Sequence, residues 1–480
     1  MVRYTLVWST LMATVLSACA VGPDYSRPDV ATPASYKEAQ ADAAKSADNT
    51  AGPSQEWWTL FNDPVLNELE RQVEVSNQDL AAAEAAYREA VTIIREQRSF
   101  FFPSVGVSAD AARTRGASRT GSTTDTGGSV TTSNSNSYQV AASASWEIDL
   151  WGRIRRSVEN ARALADASAA DLASAKLSLQ GQLATAYLQL READAEQDLL
   201  EQTVTAFQRS LEIADNRYKA GVAAKTDVLQ ARTQLANAQD QSVALQLQRA
   251  QLEHAIASLI GKPAGDFTLT AKEDWQQVVP DVPFGVPSTL LQRRPDIAAA
   301  ERRVAAANAN IGIEKSAYFP SLTLTAARGF LSATVGNLFD SNSETRSVGG
   351  SIAETLFDAG ARRARVSGAR AAYDQTVAQY RQSVLTAFQD VEDNLASSNY
   401  FSRQYEFRRV ASESADETEQ LTLNQYKAGT VNYTDVVVAQ TAALDARRSL
   451  AAIALSRQTA AVSLITTLGG GWSVPAQLSE

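Results

Sequence analysis

Two matched carboxylates are the residues of this chain best placed to do chemistry. Thr226-Asp227 and Thr434-Asp435 recur inside a doubled segment, RYKAGVAAKTDVLQA (Arg217–Ala231) and QYKAGTVNYTDVVVA (Gln425–Ala439), 208 residues apart. Each pair is expected to open a helix. There Thr would cap, and Asp would complement the helix dipole by about 0.3–1 kcal/mol. The same carboxylates set around a symmetry axis would make a ring that holds cations and repels anions. Enzymology has little foothold. The single His254, in QLEHAIASLIG, reads as a helix residue. The sequence offers no Gly-rich phosphate loop, no metal-ligand spacing and no nucleophile–base pair. No enzyme activity, cofactor or metal site is expected.

The only cysteine, Cys19, excludes an internal disulfide and cannot make a zinc or iron–sulfur site alone. Upstream lie Arg3, a short apolar run (Tyr4–Leu16) and two small residues, the pattern of a secretory signal peptide over 1–18. Leu16-Ser17-Ala18-Cys19 resembles the bacterial lipobox, which makes Cys19 the expected lipid-attachment site. Ala20 follows instead of an inner-membrane retention aspartate, so outer-membrane sorting is favoured.

The balance is acidic: net charge −10, with 54 carboxylates against 44 Lys plus Arg. A nucleic-acid partner, which needs a basic face, is not expected. After the signal peptide no run approaches the roughly 20 apolar residues of a spanning helix, which leaves a β-barrel open.

The elements that must position the doubled turn are themselves doubled. DLAAAE (Asp79–Glu84) returns as DIAAAE (Asp296–Glu301), and FFPS (Phe101–Ser104) as YFPS (Tyr318–Ser321), both at an offset of 217. The first copy is longer by a Gly/Ser/Thr/Asn tract at 116–137, read as a flexible loop. The expected plan is a lipidated N-terminal segment (19–65), repeat one (66–261), a crossover (262–295) with short strand pieces, repeat two (296–468) and a tail (469–480). Each repeat is predicted to hold an Ala-rich helix, a β-hairpin and a long helical hairpin. The first helices are placed at Leu66 to about Ser99 and Asp296 to about Ser316, stopped by Pro103 and Pro320. The hairpins are placed at about 104–150 and 321–357. Tyr138–Leu150 alternates with period two, one face apolar and the other mostly polar, while Val348–Phe357 does so poorly. Aromatic clusters at Phe100–Phe102 and Tyr318-Phe319 suit a membrane-interface belt. From Arg155 to Lys219 there is one Gly and no Pro, a helix of roughly 100 Å that must pack in a coiled coil.

Four strands cannot close a membrane barrel, and an open edge in lipid leaves backbone groups unpaired at several kcal/mol each. Two copies would give eight strands with a filled interior; three would give twelve with room for a lumen, which favours a trimer.

CAVGPDYSRP (Cys19–Pro28), EWWTLFNDPVLNEL (Glu56–Leu69), WEIDLWGRIRR (Trp146–Arg156), RRPDIAAAERR (Arg293–Arg303) and the doubled YKAG…TDV resemble the outer membrane factors of tripartite efflux pumps, the TolC/OprM-like family and its NodT-type lipoprotein branch. The resemblance spans essentially the whole mature chain. It implies an α+β membrane protein, a homotrimer with a twelve-stranded outer-membrane barrel continued by a periplasmic helical barrel. It further implies an export conduit for drugs or other small molecules, opened by a periplasmic membrane-fusion adaptor and served by an inner-membrane transporter of the proton-driven RND type. Outer-membrane lipid would surround the strands. Asp435 matches one position of the family's acidic constriction, and Val438 stands where several relatives carry a second Asp. The expected gate is therefore Asp435, Thr434 and Val438, with Asp227 further out. Gly221, Val222, Gly429 and Thr430 match the tip motif that meets the adaptor. A non-conducting lipoprotein scaffold bridging the membranes, or a protein- or metal-export duct, is the alternative. Two Met and one His leave no soft-ligand lining for metal.

Overall fold

Among the described residues, eight α-helices and four strands repeat one plan twice. In the computed structural model, which describes residues 20–39, 55–119, 130–272, 275, 277–283 and 287–473, the first set is α1 (Pro64–Ser76), α2 (Gln78–Ser99), β1 (Ser104–Arg119), β2 (Val130–Ile148), α3 (Arg153–Lys219) and α4 (Lys225–Leu259). The second is α5 (Pro287–Arg293), α6 (Pro295–Ser316), β3 (Ser321–Ser332), β4 (Glu344–Ala353), α7 (Ala361–Lys427) and α8 (Tyr433–Thr467). The signal peptide, Cys19, residues 40–54 and the tail from 474 lie outside the described residues.

The contacts divide the chain into two units. Of the described residues, one holds the strands with 20–28, 87–119, 130–167 and 300–379; the other holds those within 29–86, 168–299 and 380–473. The strand unit is one antiparallel sheet in the order β1-β2-β3-β4, with Ser104 opposite Ser145, Ile148 opposite Leu322 and Ser321 opposite Ala353. Residues directly opposite share a face, so the register sorts the side chains. One face carries Val105, Val107, Trp146, Ile148, Leu322, Leu324, Val348 and Ile352; the other carries Ser104, Ser108, Ser143, Ser145, Thr323, Thr325, Ser347 and Ser351. Val348 is 90% exposed, and among the described residues nothing pairs with the outer edges of β1 and β4.

Three expectations about the strands and their surroundings need correction. β1 runs to Arg119 and β2 starts at Val130, so the tract read as a flexible loop is largely strand, with 120–129 outside the described residues. Thr, frequent in that tract, is a residue strands favour. β4 begins at Glu344 and ends at Ala353, four residues before the expected end. The crossover has no strand among its described residues. It holds a single turn of 3-10 helix, Ala264–Asp266, and then α5. Helix side chains satisfy its backbone in place of a neighbouring strand. Arg191 donates to Thr270 O (2.8 Å), Arg249 to Leu269 O (2.6 Å) and Gln458 to Val278 O (3.1 Å). The N-terminal segment is held in the same manner: Glu392 accepts from Lys37 N and Glu38 N at 2.8 and 3.0 Å.

The first helix of repeat one is also interrupted. Asn77 is extended (φ −67°, ψ 127°), ends α1 and caps α2 by accepting from Leu80 N at 2.9 Å. Its amide donates to Leu259 O (2.7 Å) at the end of α4. Arg294 repeats the break 217 residues on. It separates α5 from α6, donates to Thr467 O (3.2 Å) and pairs with Asp296 (2.7 Å). Beside each break a left-handed glycine meets the chain closely: a Cβ on Gly261 would lie 2.1 Å from Ser76 O, and one on Gly469 2.0 Å from Arg293 O. Glycine alone fits there.

In the strand unit the N-terminal segment is tied to the roots of α3 and α6. Val21 N donates to Trp151 O (3.0 Å), Arg156 pairs with Asp24 (2.8 Å), Asn308 donates to Pro23 O (3.0 Å), and Tyr25 bonds Glu301. Trp151 stacks on Phe319 at 4.8 Å and donates to Pro320 O at 2.8 Å.

Candidate gate and docking tips

Both helical hairpins turn on the same local chemistry. Gly221 (φ +74°) and Gly429 (φ +80°) take the left-handed conformation that ends a helix. Val222 N reaches back to Arg217 O and Thr430 N to Gln425 O, each at 3.0 Å, closing the turn. Val222 and Thr430 themselves are exposed. A shared core sits behind the turns: Ala214, Val228, Ala231, Tyr426, Tyr433 and Val436. Tyr426 and Tyr433 meet edge to face at 5.3 Å. Burial pushes the Tyr433 phenol up to about 12 and also raises Tyr426, with Asp227 acting in the same direction on both. The two rings therefore act as apolar, neutral packing.

The capping residues are not the expected ones. Asn432, not Thr434, caps α8: its side chain and that of Asp435 form a reciprocal capping box, with Asn432 N donating to Asp435 Oδ2 at 3.2 Å. The extra residue is legible in hindsight as N-x-x-D. Ala224 occupies the equivalent position before α4 and offers no side-chain cap. Thr226 and Thr434 lie inside the first turns of their helices.

The structure brings Asp435, Thr434 and Val438 together on one exposed face of α8, opposite buried Tyr433, Val436 and Gln440; Val438 is 64% exposed. Asp445 continues that face two to three turns on. Asp227 is half-buried, near Tyr426 and Tyr433. Sequence reasoning missed Arg217. Its guanidinium lies over the Tyr426 ring at 4.7 Å and donates to Tyr426 O at 3.0 Å, clasping the first tip to the second. The signal was there: Arg217 is the one charged departure in RYKAG against QYKAG.

Among the described residues, an edge-unpaired sheet with one apolar face, continued by long helices paired into hairpins, is the architecture of a channel-forming outer-membrane protein. Residues 69–262 and 286–470 match the family described as outer membrane efflux protein, and the chain belongs to it. The toluene efflux pump outer membrane protein TtgC of Pseudomonas putida is 32% identical over 473 residues, 98% of this chain and 96% of its own. The pyoverdine export outer membrane protein OpmQ of the same species is 32% identical over 457 residues, 95% of each chain. The solved outer-membrane channel OprN matches with a TM-score of 0.83 at 32% identity, covering 95% of this chain and 100% of that one. The fold class is that of such trimeric channels, a β-barrel continued by a long α-helical barrel with four strands from each chain. The protein is an outer-membrane channel of an efflux pump, with a periplasmic helical part, in a family of channels rather than enzymes.

Proposed function

We propose that this chain, as a homotrimer, is the exit duct of a tripartite pump for small organic molecules, docked through its hairpin tips to a periplasmic adaptor and gated near Asp435. The observation that carries this reading is the exposed face of α8, where Asp435, Thr434 and Val438 stand together away from the hairpin core. Three copies would set three Asp435 side chains around the axis, an acidic ring favouring cations. Trimerisation pairs each free β4 edge with a β1 edge of the next copy, removing the unsatisfied backbone groups that lipid does not tolerate. Exposed Val222 and Thr430 beside the glycine turns support docking there. TtgC and OpmQ, relatives named for toluene and pyoverdine, support an organic cargo; the inner-membrane transporter that selects it is proposed to be of RND type.

Cys19 is the proposed lipid anchor. Ala20 packs beside Gly152, and Val21 bonds Trp151 next to the Trp151–Phe319 stack, which supports an anchor at the level of an interfacial aromatic belt. The domain divisions given above, lipidated segment, two repeats, crossover and tail, belong to the same reading.

The test is single-channel conductance in a planar bilayer, wild type beside Asp435→Ala. Small cation-selective steps that grow and lose selectivity in the variant support the gate. Identical steps return Asp435 to its capping role, and no steps from inserted trimers would turn the reading toward a scaffold.

A further inference from the structure

Between the end of α6 and the start of α7, within the strand unit, lies an open cavity of about 570 Å³. That is a size typical of ligand sites. Three cations line it, Lys315 from the last turn of α6 and Arg363 and Arg370 from α7, together with the rings of Tyr318 and Phe319 and the side of Val21. Arg363 and Arg370 are seven residues apart, two turns along one helix face. Their neighbour Arg362 is already engaged, paired to Asp358 at 2.7 Å and lying over Tyr318 at 5.4 Å. Lys315, Arg363 and Arg370 have no ion pair among the described residues.

This arrangement runs against two local preferences at once. Like charges gathered on one wall repel, and Arg362, Arg363 and Arg365 crowd the N-terminal end of α7, where the helix dipole disfavours cations. An external anion relieves both. Its chemistry follows from the surroundings. Guanidinium groups present planar forks suited to phosphate oxygens. Tyr318 and Phe319 are separated by Pro320 alone from β3, whose Leu322 and Leu324 belong to the apolar sheet face. A molecule with a phosphate in the cavity and hydrocarbon along that face would match the wall from end to end.

We infer that this cavity holds the phosphate headgroup of an anionic phospholipid from the periplasmic leaflet, beside the point where the N-terminal segment reaches the sheet. The inference rests on the reading of the sheet as membrane-spanning. Full-length protein in nanodiscs of phosphatidylcholine and phosphatidylglycerol is released and examined by native mass spectrometry. Wild type is expected to keep about three phosphatidylglycerol molecules per trimer and to prefer them over phosphatidylcholine. The triple variant Lys315→Gln/Arg363→Gln/Arg370→Gln should lose about tenfold or more of that retention, since each replaced cation removes a charge-assisted bond. Arg409→Gln, far along α7, should retain as much as wild type. Equal retention by the triple variant, or equal retention of the two lipids by wild type, overturns the site. Displacement by excess inorganic phosphate would mean that the cavity reads the free anion, and the lipid assignment fails. Conductance of the same samples separates the two readings: wild type that conducts but holds no phosphatidylglycerol sinks the lipid site alone, and wild type that never conducts sinks the channel reading with it.

Discussion

The two hairpin tips are built from nearly the same residues and are held differently. Tyr218 of the first tip is 43% exposed, while Tyr426, its counterpart in the second, is 2% exposed under the Arg217 guanidinium. The second returning helix starts from a capping box, and the first from an alanine that caps nothing. Duplication thus preserved the turn, set by glycine and hydrogen-bonded backbone, and let the surroundings diverge. Fixed local geometry with altered clamping gives two hairpins that share one core, with Arg217 of the first as a clasp over the second that has no counterpart in the other direction. That is a sensible division for a gate, in which one part must move against another.

The comparison can be broken most severely at the turns. Gly429→Glu and Gly221→Glu each place a side chain on a left-handed residue and a charge on an exposed tip. Both are expected to abolish drug resistance in an efflux-deficient host while trimers persist on a native gel; unchanged resistance with either would remove that tip from docking. Next in size is Arg217→Ala. It deletes the clasp on the second tip, a loss of about 1–2 kcal/mol. Larger single-channel steps are expected, with Tyr218→Ala as the silent counterpart. Equal effects of the two would erase the asymmetry.

Asp435→Ala loses the reciprocal cap, about 1 kcal/mol, and in a trimer the acidic ring as well. Asp227→Ala loses only a dipole contribution of about 0.3–1 kcal/mol. Reversal potentials in a salt gradient should shift for the first and stay near wild type for the second. A gain of stability sharpens the comparison instead of breaking it. Ala224→Asn gives the first tip the cap of the second and should stabilise it by about 0.5–2 kcal/mol, read as slower hydrogen exchange over Lys225–Val228. No slowing would mean that the Ala224 backbone cannot place an amide as Asn432 does.

Much of this was legible from the chain because duplication doubles every signal. The offsets of 217 and 208 located the helices and turns before any coordinate, and Pro103 and Pro320 marked the starts of β1 and β3. What escaped lacked a local signature. The break at Asn77 carries neither Gly nor Pro, and depends on a bond to Leu259 O across 182 positions of sequence. The crossover read as strand because its composition suits extended backbone, but its partners are helix side chains such as Arg191 and Arg249, which propensity does not see. At the gate, Thr434 masked Asn432, since Thr, Asn and Asp are all competent caps and three of them lie within four residues. Arg217 needed the second tip to be in place before its role could be read.

The paired helices are matched to the residue: α3 and α7 have 67 each, and α4 and α8 have 35 each. The hairpins therefore behave as legs of one table. One extra heptad in α3 alone would push Gly221 about 10 Å past Gly429 and pull Arg217 off Tyr426. A longer or shorter duct is reached only by editing four helices together, a rule for anyone refitting this protein to a wider periplasm.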